Sequence, residues 1–269
     1  MAQTQRRRRT PQPQDLRQRL LEDLQALKIS PVAQTLDAVL AQAEQDGLSH
    51  LEFAHRLLGD LANQRRERSI AHRIREARFR DVCTLETFDW NFNSQAINRV
   101  QIEELATGDF VRRQSNLVLV GQSGVGKSSL VQAIARCACV QGFRVRYITS
   151  AELLLDLTAS LADQTLARRL RYYSAFDLLV IDEFGFDRIE RREQPESANL
   201  LYKIIDARHR KHATALVTNV DFEVWGEYLG DPPLAMAFLD RLVDGAIIVK
   251  INGKSYRAHR STQSAKPGS

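Results

Sequence analysis

Cysteine is scarce: Cys83, Cys137 and Cys139 are the three in 269 residues, with neither the number nor the spacing of a disulfide framework or a metal-binding cluster. Cys137 and Cys139 fall two apart in an expected helix, hence on different faces, and all three read as reduced structural thiols of a cytosolic protein. Long apolar runs are also missing. No stretch approaches the ~18 or more apolar residues of a membrane span, and the basic amino terminus lacks the apolar segment of a secretory signal. The expectation is a soluble, cytoplasmic protein with no membrane partner. No internal repeat stands out.

What is present is a hydrophobic content of 43%, enough for one sizeable core and a smaller accessory domain. The net charge of +5 is moderately basic and admits nucleic acid as a partner. Its distribution says more. Arg6 to Arg9 form a run, and residues 65–80 hold seven arginines against Glu67 and Glu76. Arg65, Arg66, Arg68, Arg73, Arg75 and Arg78 are either a solvated helix face or a surface for backbone phosphates.

Residues 1–14, rich in Gln, Arg and Pro, are expected to be disordered. Leu16, Leu20, Leu24 and Leu27 then recur at helical spacing. Pro31 suits the first turn of a second helix carrying Leu36, Val39, Leu40 and Ala43, with Gly47 as its stop. Ser49 and Glu52 form a capping-box pattern ahead of Phe53, Leu57, Leu58 and Leu61. Residues 15–79 thus read as a small all-α domain whose last helix turns basic. Residues 80–95 read as a linker; the aromatics Phe88, Trp90 and Phe92 there serve either a nucleotide base or a core.

Residues 96–258 alternate helix and strand as an α/β domain does, and 259–269 read as a disordered tail. The candidate strands are Leu117–Val120, Val145–Ile148, Leu178–Ile181, Ala215–Thr218 and Ala246–Val249. Between the first strand and a helix lie Gly121, Gln122, Ser123, Gly124, Val125, Gly126, Lys127 and Ser128, with Ser129 opening the helix: a complete G-x-x-x-x-G-K-[ST] loop in the required context. Glycines let consecutive N–H groups turn inward around phosphates, and the helix start adds unpaired donors. Lys127 is placed for the β- and γ-phosphates and Ser128 for Mg²⁺, which predicts ATP and Mg²⁺ as cofactors.

The run Leu178–Ile181 suits a strand buried on both faces, delivering Asp182 and Glu183 to its carboxyl end. Asp182 is the natural metal-side carboxylate, and Glu183 is suited to orient or deprotonate an attacking water. Asn219 follows the fourth strand, either holding that water or making a turn. Asn219-Val-Asp221 lacks the lysine and spacing of a guanine-reading loop, which favours ATP over GTP.

The order of P-loop, Asp-Glu strand, Thr218-Asn219 and Asp240-Arg241-Leu242 resembles the AAA+ ATPases of the IstB and DnaC group, and IstB-like transposition helpers more closely. Gly47–Phe53, Arg65–Arg73, Ala77–Phe79, Thr84–Asp89, Trp225-Gly-Glu and Asn252–Arg257 follow the same pattern. Gln122-Ser123 and Ser128-Ser129 depart from it without removing a backbone donor or the metal hydroxyl. The resemblance implies a P-loop AAA+ core with a five-stranded parallel sheet behind the helical domain. It implies Asn219 as a sensor and Arg241 as an arginine finger serving a neighbouring subunit, with Arg208 and Arg210 as rivals. It implies self-assembly into a multimer on duplex DNA, remodelling of that DNA, and stimulation of the transposase of the same mobile element. Two other readings are a DnaC-like replicative helicase loader and a small-molecule kinase. The second has no use for Glu183 or a trans-acting arginine.

Overall fold

The computed structural model describes residues 13–26, 33–185 and 196–256. The Arg6–Arg9 run, Leu27, Pro31, Arg257 and the 259–269 tail lie outside them. The chain divides into two units, Met1–Ser69 and Ile70–Ser269.

The first unit holds helices α1 (Pro13–Ala26), α2 (Ala33–Asp46) and the greater part of α3 (His50–Ala77). Helix α1 begins at Pro13, inside the segment expected to be disordered; proline's fixed φ and missing N–H suit a first helical turn. Gly47, at φ +61°, follows α2 as its stop. Ser49 and Glu52 form the expected capping box, with the Ser49 N–H donating to Glu52 Oε2 at 2.9 Å. The core is small: Leu24, Leu36, Val39, Leu57 and Leu61, with Leu21 and Phe53 against it. Leu16 and Leu58 stay exposed, so the apolar stripe is narrower than the leucine spacing predicts.

The second unit adds α4 (Arg99–Ala106), α5 (Asp109–Arg112), β1 (Leu117–Gly121), α6 (Lys127–Val140), β2 (Val145–Thr149), α7 (Ser150–Ala162), α8 (Leu166–Ser174) and β3 (Leu178–Phe184). It continues through α9 (Ser197–Arg208), β4 (Ala213–Thr218), α10 (Trp225–Leu229), α11 (Pro232–Val243) and β5 (Ile247–Ile251). The five strands form one parallel sheet in the order β2-β3-β4-β1-β5. Both faces are covered. Leu117 and Leu119 pack into one apolar cluster with α4 and α6, while Val118 and Val120 pack into the other with α7, α9 and α11. That double burial is why the strands read as continuous apolar runs.

The two units part inside α3, not at the 80–95 segment expected as a linker. That segment packs on the second unit: Leu85, Phe88 and Trp90 rest against its core. Asn93 is buried and bonds to Lys254 in both directions, Nδ2 to the carbonyl and Oδ1 from the N–H, at 3.0 Å each. All three cysteines are free thiols. Burial pushes Cys139 up to about 12, which makes it unreactive.

Candidate nucleotide site

Because β4 lies between β1 and β3, the carboxyl ends of these three strands converge, and the loops leaving them meet at one edge. The loop after β1 enters α6 through Gly126, which stands at φ +98° as the helix N-cap. Gly124, at φ +83°, has no room for a side chain, since a Cβ would fall 2.3 Å from Ser255 Oγ. Both positions therefore require glycine. Lys127 is buried and its Nζ donates to the carbonyls of Gly121 and Gln122 at 2.7 and 2.8 Å. The ammonium thus sits inside the ring of backbone that it would share with phosphates.

Strand β3 runs past Ile181 to Phe184, with a register shift against β4 between those residues. Glu183 adopts φ +59°, a left-handed conformation that costs a non-glycine residue about 1–2 kcal/mol. Such an irregularity re-aims side chains. Asp182 turns inward and is 1% exposed, whereas Glu183 is only half-buried. Each oxygen of the Asp182 carboxylate has partners: Oδ1 accepts from Ser128 Oγ at 3.2 Å and from the Glu183 N–H at 2.7 Å, and Oδ2 accepts from Tyr147 at 2.6 Å. Burial, then the adjacent carboxylate, pushes the Tyr147 hydroxyl far up, so it remains a donor.

The hydroxyl of Ser128 and the carboxylate of Asp182 are hard oxygen donors side by side, the kind Mg²⁺ takes from protein while keeping waters and phosphate oxygens. Among the described residues no group of three or more His, Cys, Asp or Glu could hold a metal unaided. The pair therefore fits a cation brought with a phosphate, not a dedicated metal cage.

A cavity extends from this edge. Ser123–Ser129, Asp182, Glu183 and Thr218 line it together with Thr84, Thr87, Phe88, Phe92, Ile97 and Tyr256, and the Tyr256 N–H donates to the Gly124 carbonyl at 2.9 Å. Phe92 and Tyr256 meet edge to face at 4.9 Å. A P-loop and aromatic side chains in one cavity suit a nucleoside triphosphate. Of the three aromatics with two open roles, Phe88 and Phe92 line the cavity, while Trp90 packs on Phe88 and donates its Nε1–H to the Leu85 carbonyl.

Asn219 stands at this edge but is exposed and does not line the cavity; its Oδ1 lies against Gly185. The buried Thr218 lines the cavity instead. Arg241 is at the other edge of the sheet. Asn116, just before β1, donates its Nδ2–H to the Arg241 and Leu242 carbonyls at 3.3 and 2.9 Å. A whole strand, about 16 Å at ~3.3 Å per residue, separates Arg241 from the loop after β1. Its guanidinium pairs with Asp206 at 3.1 Å and with Asp240. Arg208 is 1% exposed and donates to the carbonyls of Tyr173, Phe176 and Ala213 and to Thr214 Oγ1. That burial removes it as a rival to Arg241, since a guanidinium so enclosed cannot reach a second chain. Arg210 is exposed and pairs with Asp244. On α3 and just past it, Arg65, Arg66, Arg68, Arg75 and Arg78 are exposed and Arg73 is half-buried.

Tyr147, the threonines Thr84 and Thr87, and Arg80, which bonds to Glu183, also reach this site. The threonines fall in the Thr84–Asp89 stretch that follows the family pattern, whereas Tyr147 and Arg80 carry no local signal. Each reaches the site from a part of the chain remote from the P-loop.

Comparison with known proteins agrees with this architecture. The family model for IstB-like ATP binding protein matches residues 22–264. The protein named "Insertion sequence IS232 putative ATP-binding protein" of Bacillus thuringiensis subsp. berliner is 34% identical over 240 residues, 89% of this chain and 94% of that one. The corresponding IS21 protein of Pseudomonas aeruginosa is 34% identical, over 87% of this chain and 86% of its own. Among solved structures, DnaI superposes with a TM-score of 0.53 at 23% identity, over 63% of this chain and 91% of its own. AMPPCP-bound DnaA from Aquifex aeolicus gives 0.51 at 21% identity, over 70% and 56%. These two likenesses bear on the fold alone, a parallel sheet of five strands covered by helices on both faces. The chain belongs to the family of IstB-like ATP binding proteins.

Proposed function

We propose that this protein is an ATP-hydrolysing, DNA-binding helper of transposition: it assembles as a multimer on duplex DNA, remodels it, and stimulates the transposase of the same mobile element. The observation that carries the hydrolytic part is the pair Asp182 and Glu183. One carboxylate is locked beside Ser128, and the next residue lines the same cavity with its carboxylate paired to Arg80. Binding alone needs no second carboxylate there. The insertion-sequence names of the relatives support the transposition part.

Gly121 to Ser129 enclose the triphosphate, with backbone N–H groups and the start of α6 supplying donors. Lys127 exchanges the Gly121 and Gln122 carbonyls for β- and γ-phosphate oxygens. Ser128 and Asp182 hold Mg²⁺, which when bound neutralises charge on those oxygens. Glu183 orients the attacking water and takes its proton, and Asn219 steadies that water from the end of β4. Phe88 and Phe92, which line the cavity, exclude water from the base.

Arg241 acts across a subunit boundary, a role supported by its place at the far edge of the sheet from its own P-loop. Multimer formation follows, because a site lacking its arginine is incomplete in one chain. The exposed arginines of α3 track DNA phosphates, which gives salt-dependent, largely sequence-independent binding.

The test is ATP turnover with and without duplex DNA at two salt concentrations, with assembly followed by electron microscopy. ATP-dependent multimers on DNA that weaken as salt rises support this reading. Turnover indifferent to DNA, from a monomer that instead captures a replicative helicase, would replace it with a helicase loader.

A further inference from the structure

Beyond β5 the chain lies against the phosphate-binding loop. The Tyr256 N–H donates to the Gly124 carbonyl at 2.9 Å, and Ser255 Oγ fills the space where a Cβ on Gly124 would stand. Gly124 itself is at φ +83°. Its peptide is therefore held from outside in the conformation that turns the loop around phosphates.

One side chain fixes that segment. Asn93 is buried and turns both ends of its amide to the Lys254 backbone, Nδ2 donating to the carbonyl and Oδ1 accepting from the N–H, at 3.0 Å each. Gly253 lies against the same amide with no room for a side chain, since a Cβ would fall 2.7 Å from Asn93 Cγ. Asn93 is anchored in turn: its carbonyl accepts from the N–H groups of Ala96 and Ile97 at 2.9 and 3.0 Å, and Ile97 belongs to the core. The neighbouring rings of Phe92 and Tyr256 meet edge to face and close the same contact. A continuous path thus runs from the core through Asn93 to Lys254, and two residues further to Gly124.

We infer that Asn93 is a positioning residue for the phosphate site: through residues 253–256 it holds the loop at Gly124 in the shape that receives a nucleotide, so that binding does not have to order the loop. This rests on the reading of the loop as the ATP site. The amide of Asn93 faces Lys254, so it acts on the phosphates through the loop. Its influence falls on the phosphates that the loop cradles and not on the base.

The experiment measures affinities for ATP, ADP and AMP by equilibrium binding, together with urea unfolding, for the full chain carrying Asn93→Asp or Gly253→Ala. Aspartate keeps the size of the side chain but sets a second oxygen against the Lys254 carbonyl, and a methyl group at 253 presses on the same contact from the other side. Each variant should bind ATP and ADP about tenfold more weakly. AMP, which lacks the β-phosphate, should lose less than about twofold. Both changes together should cost little more affinity than either alone, because they break one contact. Unchanged ATP affinity in both variants would overturn the positioning role, and so would an equal loss for all three nucleotides with a lower urea midpoint, the mark of a general defect in the fold. Normal ATP binding by Lys127→Ala would instead overturn the reading of the loop as the ATP site.

Discussion

Tyr147 on β2 donates to the oxygen of Asp182 that Ser128 leaves free, so one buried carboxylate is held from two sides by residues from different parts of the chain. The Tyr147 bond leaves Oδ1 facing Ser128 and the phosphate-binding loop. Partners of this kind orient a metal-binding carboxylate and commonly change metal affinity 10- to 100-fold when removed. Tyr147→Phe keeps the ring in the core and deletes only the donor. The Mg²⁺ concentration for half-maximal turnover should rise about tenfold, with metal-free ATP binding unchanged; an unaltered Mg²⁺ dependence would refute the positioning role. The orphaned Oδ2 should also cost about 1–3 kcal/mol of stability, readable in urea unfolding.

Arg208 is a structural brace. Its guanidinium ties the end of α9 to the carbonyls of Tyr173 and Phe176 and to the first residues of β4, and burial pulls its pKa down. Arg208→Ala strips partners from three carbonyls in a dry environment. Stability should fall by about 3 kcal/mol or more, seen as a lower urea midpoint at unchanged slope. A stable variant that is inactive only in hydrolysis would return Arg208 to the list of trans-acting arginines.

Much of this architecture is legible in the sequence, and the limit has a physical form. Features that depend on consecutive residues are readable. The P-loop is one, the capping box of Ser49 and Glu52 another, and each of the five strands coincides with an expected apolar run to within a few residues. Features made by folding are not. Tyr147 and Arg80 reach the carboxylates only because β2 lies beside β3 and the segment after α3 packs on α6. The bulge that sends Asp182 inward and Glu183 outward has no signature in Ile181-Asp-Glu-Phe184. Arg208 looks like any arginine at a helix end. Its burial comes from α8, the turn before β3 and the start of β4 closing over it. The aromatic residues at 88–92 look like a break in the sequence, whereas the two compact units divide within α3, a helix that runs from His50 to Ala77.

Arg241 gives the prediction most specific to assembly. Arg241→Ala should lower turnover of the assembled protein by about 10³-fold or more, the usual effect of losing an arginine finger, and leave ATP binding intact. Lys127→Ala should fail to bind ATP. Mixed in equal amounts, the two should recover activity, since roughly one interface in four pairs an intact P-loop with an intact arginine. No recovery in a mixture shown to co-assemble would mean that the site is completed within one chain.

The central claim is that Glu183 activates water at an ATP site built by the P-loop and Asp182. Glu183→Gln tests it most directly, because the amide keeps the size of the side chain and cannot accept the proton. ATP binding should match the unaltered protein, assembly on DNA should persist, and turnover should fall at least about 10²-fold. Turnover at the original rate would contradict the account.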